Sequence, residues 1–201
     1  MPTTSEPPTR IDQIRLTAER LFRERGYLAT SVRDIGEAVG MRGASLYHHI
    51  GGKEDLLWAI ASRAADGFFA ALRPILAEEA AAPLKLRRAI IAHIGVITAN
   101  LDAAAVYFNE WRHLSDERRT EFLRRRDEYE AGFRAILWQG IREGHFAAID
   151  EKFAARFVLS ALNWTHQWYR PDGAMPPETI GQTLADYLLN GLSQALPISP
   201  A

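Results

Sequence analysis

The residues that could do acid, base or metal chemistry are six histidines and 25 carboxylates, and their spacing matches no known catalytic site. Glu110 and His113 lie in helical spacing and could bring at most two ligands to a metal. A di-metal site in a helical bundle needs a second such pair and further carboxylates. The lack of cysteine excludes thiolate metal sites, a cysteine nucleophile and a disulfide framework. Since no glycine-rich phosphate loop or nucleophile elbow is present either, we predict no enzyme, no metal and no cofactor.

The segment with the most specific chemistry is residues 30–57, with the sequence TSVRDIGEAVGMRGASLYHHIGGKEDLL. It contains two short helical patterns separated by about four residues around Gly40, as in a helix-turn-helix. In the second pattern, residues 43–50, a turn of about 100° per residue places Leu46 and Ile50 together on the buried side. The opposite side carries small and hydrogen-bonding residues that suit base edges and phosphates in the major groove. They are Ala44, Ser45, Tyr47 and His48, with His49 on the flank.

Cations surround this predicted reading helix. Arg33 on the preceding helix and Arg42 just before the reading helix can reach phosphates or a guanine edge. Lys53 and the backbone N–H groups at the start of the next helix form a predicted phosphate clamp. Gly43 and Ala44 are small enough to let the backbone approach the bases. The predicted DNA-binding residues are Arg33, Arg42, Gly43, Ala44, Ser45, Tyr47, His48, His49 and Lys53.

The alternative is an ordinary solvated surface, with Tyr47 a half-buried aromatic and the histidines in water. Charge does not separate the two, because the net charge of the chain is −1 and acidic residues roughly balance basic ones before Trp58. Because of this charge balance, DNA binding by this segment would depend on a few placed cations and would have a modest salt dependence.

The elements that must position these residues are all helices. Apolar residues recur with a period of about 3.6 between glycine and proline breaks, and no alternating strand pattern occurs. Ser31 and Asp34 have the spacing of a capping box, and the helix that they start is predicted to bury Ile35, Ala38 and Val39. We therefore predict an all-α fold, with an N-terminal three-helix DNA-binding domain and a C-terminal helical domain. The roughly nine predicted helices span residues 11–25, 31–40, 43–50, 53–72, 84–100, 104–113, 116–143, 150–169 and 178–196.

Residues 11–58 resemble the N-terminal domain of the TetR family of regulators. The matching pieces are AERLFRERGY from Ala18, TSVRDI from Thr30, AVGM from Ala38 and LYHHIGGKEDLL from Leu46, in order and at the family's spacing. The pair Gly51-Gly52 departs from the family, which often has a phenylalanine and a polar residue in this stretch.

The resemblance implies roles for residues and for the rest of the chain. It makes Tyr47 and Lys53 phosphate contacts, and it places Arg42, Gly43, Ala44, Ser45 and His48 near the bases. It also implies a homodimer that reads a near-palindromic operator in double-stranded DNA. A small-molecule effector would bind to the C-terminal domain, and the long fourth predicted helix, residues 53–72, would tilt on effector binding. Repression, relieved by the effector, is the family-typical outcome.

Aromatic residues are dense in the C-terminal part, where core packing and an effector cavity are both open interpretations. The stretches YFNEWRHLSDERR and LNWTHQWYRPDG are similar to a TetR branch that senses acyl-coenzyme A thioesters. That similarity implies adenine stacking or phosphate pairing by Trp168 and Arg170, although Arg170 fits a solvated helix end equally well. The candidate effector residues are Tyr107, Phe108, Trp111, Arg112, Phe133, Trp138, Asn163, His166, Trp168 and Arg170.

The last two long helices carry apolar stripes with steps of three and four residues. Two such helices per subunit can form a four-helix interface across a two-fold axis, although the same stripes could pack within one subunit. The candidate interface residues are Phe157, Ala161, Trp164, Ile180, Leu184, Leu188 and Leu192.

The predicted division of the chain is a disordered tail over 1–8, a DNA-binding domain over 9–55 with the helix-turn-helix at about 30–50, a ligand-binding and dimerisation domain over 56–196, and a tail over 197–201. No signal peptide and no long apolar run occur, so we expect a cytoplasmic protein with no membrane partner. An architectural DNA-binding protein without an effector is the remaining alternative. It leaves the aromatic-rich C-terminal part without a purpose.

Overall fold

The computed structural model describes residues 9–41 and 46–193, with side chains as far as Gly191. Within these ranges every regular element is a helix, which confirms the all-α prediction. The predictions for the tails, for Arg42, Gly43, Ala44 and Ser45, and for the side chain of Leu192 lie outside the described residues. The described helices are α1 Arg10–Arg25, α2 Val32–Ala38, α3 Lys53–Ala77, α4 Ala82–Ala99, α5 Leu101–Asn109, a 3₁₀ turn Trp111–His113, α6 Asp116–Arg142, α7 Glu151–Asn163, α8 Thr165–Trp168 and α9 Pro177–Ser193.

Local side-chain bonds explain where the first helices begin. Ser31 is the N-cap of α2, and its hydroxyl accepts the Asp34 N–H while the Asp34 carboxylate accepts the Ser31 N–H, which confirms the predicted capping box. Thr9 and Asp12 form the same box at the start of α1. These bonds satisfy backbone donors that have no partner inside the helix.

Two predictions for individual elements need correction. The single helix predicted over 150–169 is two helices, α7 and α8, separated at Trp164. Ala38 is exposed, whereas Ile35 and Gly36 are buried and Val39 is half-buried. The buried face of α2 is centred on positions 35, 36 and 39, so Ala38 falls at its edge.

The chain divides into two compact units, and the first contains the described residues of Met1–Ala64 together with Asp102–Phe122. Its core includes Ile14, Phe22, Ile35, Leu46 and Leu57, all fully buried. The sequence predicted a domain boundary between residues 55 and 56. It did not predict that α5 and the start of α6 belong to the first unit.

The second unit contains Ala65–Leu101 and Leu123–Ala201. In it α4 packs against α7, α8 and α9. Its fully buried side chains include Leu86, Ile90, Ile94 and Phe133.

Among the described helices, none is by itself long and apolar enough to cross a bilayer. Ala82–Ala99 and Leu101–Asn109 meet that test only as a pair, and the chain bends by 103° between them.

A polar group lies inside the second unit. His93 on α4 is only 2% exposed. Its Nδ1 lies 2.9 Å from the Tyr129 hydroxyl, and its Nε2 lies 3.1 Å from Oδ1 of Asn163. Because an amide oxygen only accepts hydrogen bonds, Nε2 carries the proton and Nδ1 accepts from Tyr129. The imidazole also stacks on Phe68 at 4.7 Å between ring centroids.

Burial of His93 gives the fold an acid sensitivity. Burial lowers the pKa of His93 from its usual 6.5 to about 3. Between these values the unfolded chain binds a proton that the folded chain does not, so stability falls as the pH falls below 6.5. The expected slope from this residue is about 1.4 kcal/mol per pH unit.

Replacing His93 with Gln, which has no titratable group, should lower stability at neutral pH and flatten the pH dependence between about 6 and 4. Urea unfolding at several pH values measures both effects. His145→Gln is the matched control, because the His145 side chain is 46% exposed, and it should keep the wild-type slope. Equal slopes for the His93 variant and wild type would contradict the assignment.

Candidate nucleic-acid interface and effector residues

The reading helix has the orientation predicted from its sequence. Leu46 is fully buried and Ile50 is nearly so, whereas Tyr47 is 56% exposed. Leu46 and Tyr47 are helical, and His48 and His49 follow in a turn with both side chains exposed. Hydrogen-bonding side chains are therefore presented opposite two buried apolar anchors. Their contact with DNA remains a prediction.

Two glycines set the position of this helix. Gly40 has a φ of +68°, a conformation that costs glycine little and other residues more. A Cβ on Gly36 would lie 3.1 Å from the Met41 carbonyl oxygen and 3.6 Å from Cδ2 of Leu46. The Met41 N–H also donates to the Gly36 carbonyl at 2.8 Å. Helix α2 thus lies close to the turn and to the first anchor of the reading helix.

Arg33 is available for a phosphate. Its side chain is 86% exposed and pairs with Glu37 at 2.7 Å, one helical turn away. The hydrogen bond that Arg33 donates to the Glu37 carboxylate raises the pKa of the Arg33 guanidinium. An exposed pair of this kind contributes little to stability, so the guanidinium can exchange Glu37 for a stronger anionic partner.

Lys53 bonds to the loop between α1 and α2, and its contact with a DNA phosphate remains a prediction. Its Nζ donates to the carbonyl oxygens of Tyr27 at 3.0 Å and Thr30 at 2.9 Å. The same ammonium lies 4.2 Å from the centroid of the Tyr27 ring. The side chain is half-buried and bonded to its own subunit.

The segment 102–122 is bound to the residues around the reading helix. The Tyr27 N–H donates to Oε2 of Glu110 at 3.2 Å, and the Tyr27 ring stacks on His113 at 5.4 Å. Arg23 pairs with Asp102 at 2.6 Å. Glu110 and His113, the only pair that suggested a metal, therefore both contact Tyr27.

A second set of contacts holds the first turn of α3. The Ser115 N–H donates to Oε1 of Glu54 at 3.0 Å, and Arg118 pairs with Asp55 and, at 3.4 Å, with Glu54. The bonds from Ser115 lower the pKa of Glu54, and the bond to Asp55 raises the pKa of Arg118. Glu54 and Arg118 are therefore both ionised near neutral pH.

The candidate effector residues are divided between the two compact units. Tyr107 and Trp111 pack on Phe122 in the first unit, at 5.0 and 5.7 Å between ring centroids, and Phe108 contacts Tyr107. Phe133, Asn163 and His166 lie in the second unit, where Phe133 and Asn163 contact His93. The others are exposed: Arg112, Trp138, Trp168 and Arg170.

Sequence analysis missed His93 and Tyr129. Their only sequence signal is a histidine within the apolar stretch of residues 89–97 and a tyrosine within a charged one. His166, by contrast, was among the candidates, and its Nδ1 lies 2.6 Å from the Asn163 carbonyl oxygen.

The candidate interface residues fall into two groups. Phe157 and Trp164 are 59% and 63% exposed, which leaves them available to a partner, and Ala161 and Leu184 are half-buried. Ile180 and Leu188 are buried within the subunit, where α9 packs on α4, so the interface prediction is corrected for these two residues. Phe153 and Tyr187, which we did not predict, are both 73% exposed.

The described residues are helical, and the segment after the turn at Gly40 exposes polar side chains while Leu46 and Ile50 are buried. These are the features of a helix-turn-helix regulator. Residues 14–60 match the family of bacterial regulatory proteins called the tetR family, and residues 80–192 match the tetracyclin repressor-like C-terminal domain. The chain belongs to the TetR family of transcriptional regulators.

Individual relatives cover nearly the whole chain. The transcriptional repressor KstR2 of Rhodococcus jostii is 33% identical over 88% of this chain and 87% of its own length. The structure of the ketosteroid transcriptional regulator KstR2 of Mycobacterium tuberculosis superposes with a TM-score of 0.89 at 28% identity, over 94% of this chain and 98% of that one. AibR, solved with isovaleryl coenzyme A and operator DNA, superposes with a TM-score of 0.80 at 28% identity, over 92% and 98%.

Proposed function

We propose that this protein is a homodimeric repressor that binds a near-palindromic operator and releases it when an acyl-coenzyme A thioester binds. The observation that carries the proposal is the exposure of Tyr47 and His48 between the buried anchors Leu46 and Ile50. It acts without catalysis, metal or cofactor, in the cytoplasm where operator DNA is found.

The proposed division of labour follows the chain. Residues 9–55 read DNA, and residues 56–196 bind the effector and form the dimer. Helix α3 begins in the first compact unit and continues into the second, so it is the element proposed to tilt. For a near-complete switch the effector must prefer the DNA-free conformation by about 5.5 kcal/mol.

DNA reading predicts a specific loss when the Tyr47 hydroxyl is removed. Tyr47→Phe should weaken operator binding by about tenfold, because a hydrogen bond to a charged phosphate is lost. The salt dependence should not change, since a hydroxyl displaces no counterion. Fluorescence anisotropy on a selected operator measures both quantities. Thr120→Val removes a hydroxyl that bonds within α6 and should bind as wild type does. Full affinity of the Tyr47 variant would remove Tyr47 from the proposed site.

The proposed dimer interface uses the exposed aromatic residues of α7 and α9 and Trp164, which directly follows α7. Phe157→Arg and Trp164→Arg place charges there without disturbing the core of the subunit, because both side chains are exposed. Each variant should be monomeric in light scattering and should lose high-affinity operator binding, since one head reads only half a site. Trp138→Arg, at a residue 51% exposed on α6, is the control and should stay dimeric. If the Phe157 and Trp164 variants are both dimeric, the interface lies elsewhere.

The acyl-coenzyme A effector is supported by the likeness to AibR and by Trp168 and Arg170, which offer an exposed ring and a cation close together in the chain. An aromatic ring can stack on adenine, and a guanidinium can pair with phosphate. The buried polar group of His93, Tyr129 and Asn163 lies in the same compact unit and supports a site for the polar part of an acyl group.

Isovaleryl coenzyme A should therefore raise the melting temperature and release operator DNA. At a hundredfold excess over the dissociation constant the stabilisation is about 2.7 kcal/mol. Trp168→Ala and Arg170→Gln should each weaken this response, and Arg124→Gln, at an exposed arginine of α6, should not. A response to free coenzyme A as large as the response to the thioester would contradict an acyl-specific effector. No response to any of a series of acyl chain lengths would contradict the effector class.

A further inference from the structure

We propose that the hydroxyl group of Thr165 binds the effector, by a hydrogen bond to the pantetheine arm of the acyl-coenzyme A thioester. The proposal rests on the acyl-coenzyme A effector proposed above and names a residue that recognises it. Thr165 is not one of the candidate effector residues of the sequence analysis, and nothing in its sequence position singles it out.

The hydroxyl of Thr165 is buried and unsatisfied. The residue is 0% exposed, and its Oγ1 has no hydrogen-bond partner among the described residues. On folding, this hydroxyl loses its hydrogen bonds to water and gains none in return, which destabilises the folded protein. Buried polar groups in native proteins are nearly always paired. An unpaired one therefore needs a reason, and a ligand that supplies the partner is such a reason.

Other threonines of the chain show the bond that Thr165 does not make. The hydroxyls of Thr98 and Thr120 each donate at 2.8 Å to the carbonyl oxygen four residues earlier in their own helices. Helical threonines commonly satisfy their hydroxyls in this way. Thr165 is the first residue of the four-residue helix α8, just after the break that follows α7. The break thus leaves a buried hydroxyl without the partner that a helical threonine usually has.

The polar side chains next to Thr165 already have partners. Oδ1 of Asn163 lies 3.1 Å from Nε2 of His93, which donates to it. Nδ1 of His166 donates to the Asn163 carbonyl oxygen at 2.6 Å, because a carbonyl only accepts. Nε2 of His166 then accepts from the side-chain amide of Gln167 at 2.7 Å. Among the described buried polar groups at this break, the Thr165 hydroxyl is the one that is left unpaired.

Thr165 lies between the two parts of the proposed effector site. Trp168, at the other end of α8, is 43% exposed and is the ring proposed to stack on adenine. Asn163, two residues before Thr165, contacts His93, which belongs to the buried polar group proposed for the acyl end. Helix α8 also packs on α4, the helix that carries His93. Along the chain, Thr165 therefore separates the adenine end of the site from the acyl end.

The pantetheine arm occupies the same interval in the effector. It joins the nucleotide of coenzyme A to the thioester, and its polar groups are amides and a hydroxyl. An amide carbonyl oxygen accepts hydrogen bonds, and a threonine hydroxyl can donate one. A site whose buried polar group would otherwise stay unpaired discriminates strongly in favour of a ligand that pairs it. In the complex, the Thr165 hydroxyl gains the partner that it lacks in the free subunit.

Thr165→Val separates a ligand-binding hydroxyl from a structural one, because valine has the same shape and no hydroxyl. Loss of an unpaired buried hydroxyl should raise the melting temperature of the effector-free protein by about 2–4 °C. The same change should weaken binding of isovaleryl coenzyme A by about tenfold, since the hydrogen bond to the arm is lost. Scanning calorimetry and titration calorimetry on the full-length protein measure the two effects.

Two further variants serve as controls. Thr98→Val removes a hydroxyl that is bonded within α4, so it should not raise the melting temperature and should leave effector affinity unchanged. Thr165→Ser keeps the hydroxyl and should retain most of the wild-type affinity for isovaleryl coenzyme A.

A truncated ligand tests which part of the effector Thr165 contacts. Isovaleryl pantetheine has the thioester and the arm but no nucleotide. Thr165→Val should weaken this ligand and isovaleryl coenzyme A by the same factor. Trp168→Ala should weaken only the coenzyme A thioester, because pantetheine has no adenine to stack.

Three results would overturn the inference. A Thr165→Val protein less stable than wild type without effector would show that the hydroxyl has a structural partner. Unchanged affinity for isovaleryl coenzyme A in this variant would show that the hydroxyl does not bind the effector. A loss confined to the coenzyme A thioester would place the contact on the nucleotide. A wild-type protein that binds no acyl-coenzyme A of any chain length would instead overturn the proposed effector, and this inference with it.

Discussion

Burial of Leu46 and Ile50 is the constraint on which the proposed function depends, because it fixes the rotation of the reading helix about its own axis. With these two side chains in the core, Tyr47 and His48 must point to solvent. A rotation of the helix that exposed Leu46 would lose the transfer free energy of a buried leucine, about 1.5–3 kcal/mol. The core of the first unit therefore determines which side chains are offered to DNA.

The same unit is completed by residues distant in the sequence. Tyr27 contacts Glu110, His113 and the ammonium of Lys53. Arg118 and Ser115 bind the first turn of α3. The start of α3 is thus held by Arg118 on α6 and by Ser115 in the loop before α6, as well as by the hydrogen bonds within α3. A motion of α3 on effector binding would have to break or carry along these contacts.

The elements were predictable to the extent that their causes are local. The 3.6-residue period, the capping box at Ser31 and Asp34 and the glycine turn at Gly40 all act within a few residues, and each was found where the sequence placed it. The orientation of Leu46 and Tyr47 follows from the same period. The bond of Lys53 to the 27–30 loop was not predictable, because a family motif indicates that a lysine is present and does not show where its side chain points.

The errors in the second unit have a common physical cause. An apolar stripe shows that a helix has a face to bury, but it does not show whether the partner belongs to the same subunit. On α9 the stripe through Ile180 and Leu188 is buried where α9 packs on α4, and Tyr187 on another face is left exposed. On α7 and at Trp164 just after it the predicted interface residues are instead exposed, since Phe157 and Trp164 face solvent while Val158 and Leu162 are buried. Large aromatic residues left in water on two helices that both pack on α4 are unfavourable for an isolated subunit, and this cost is what a second copy of the chain would remove.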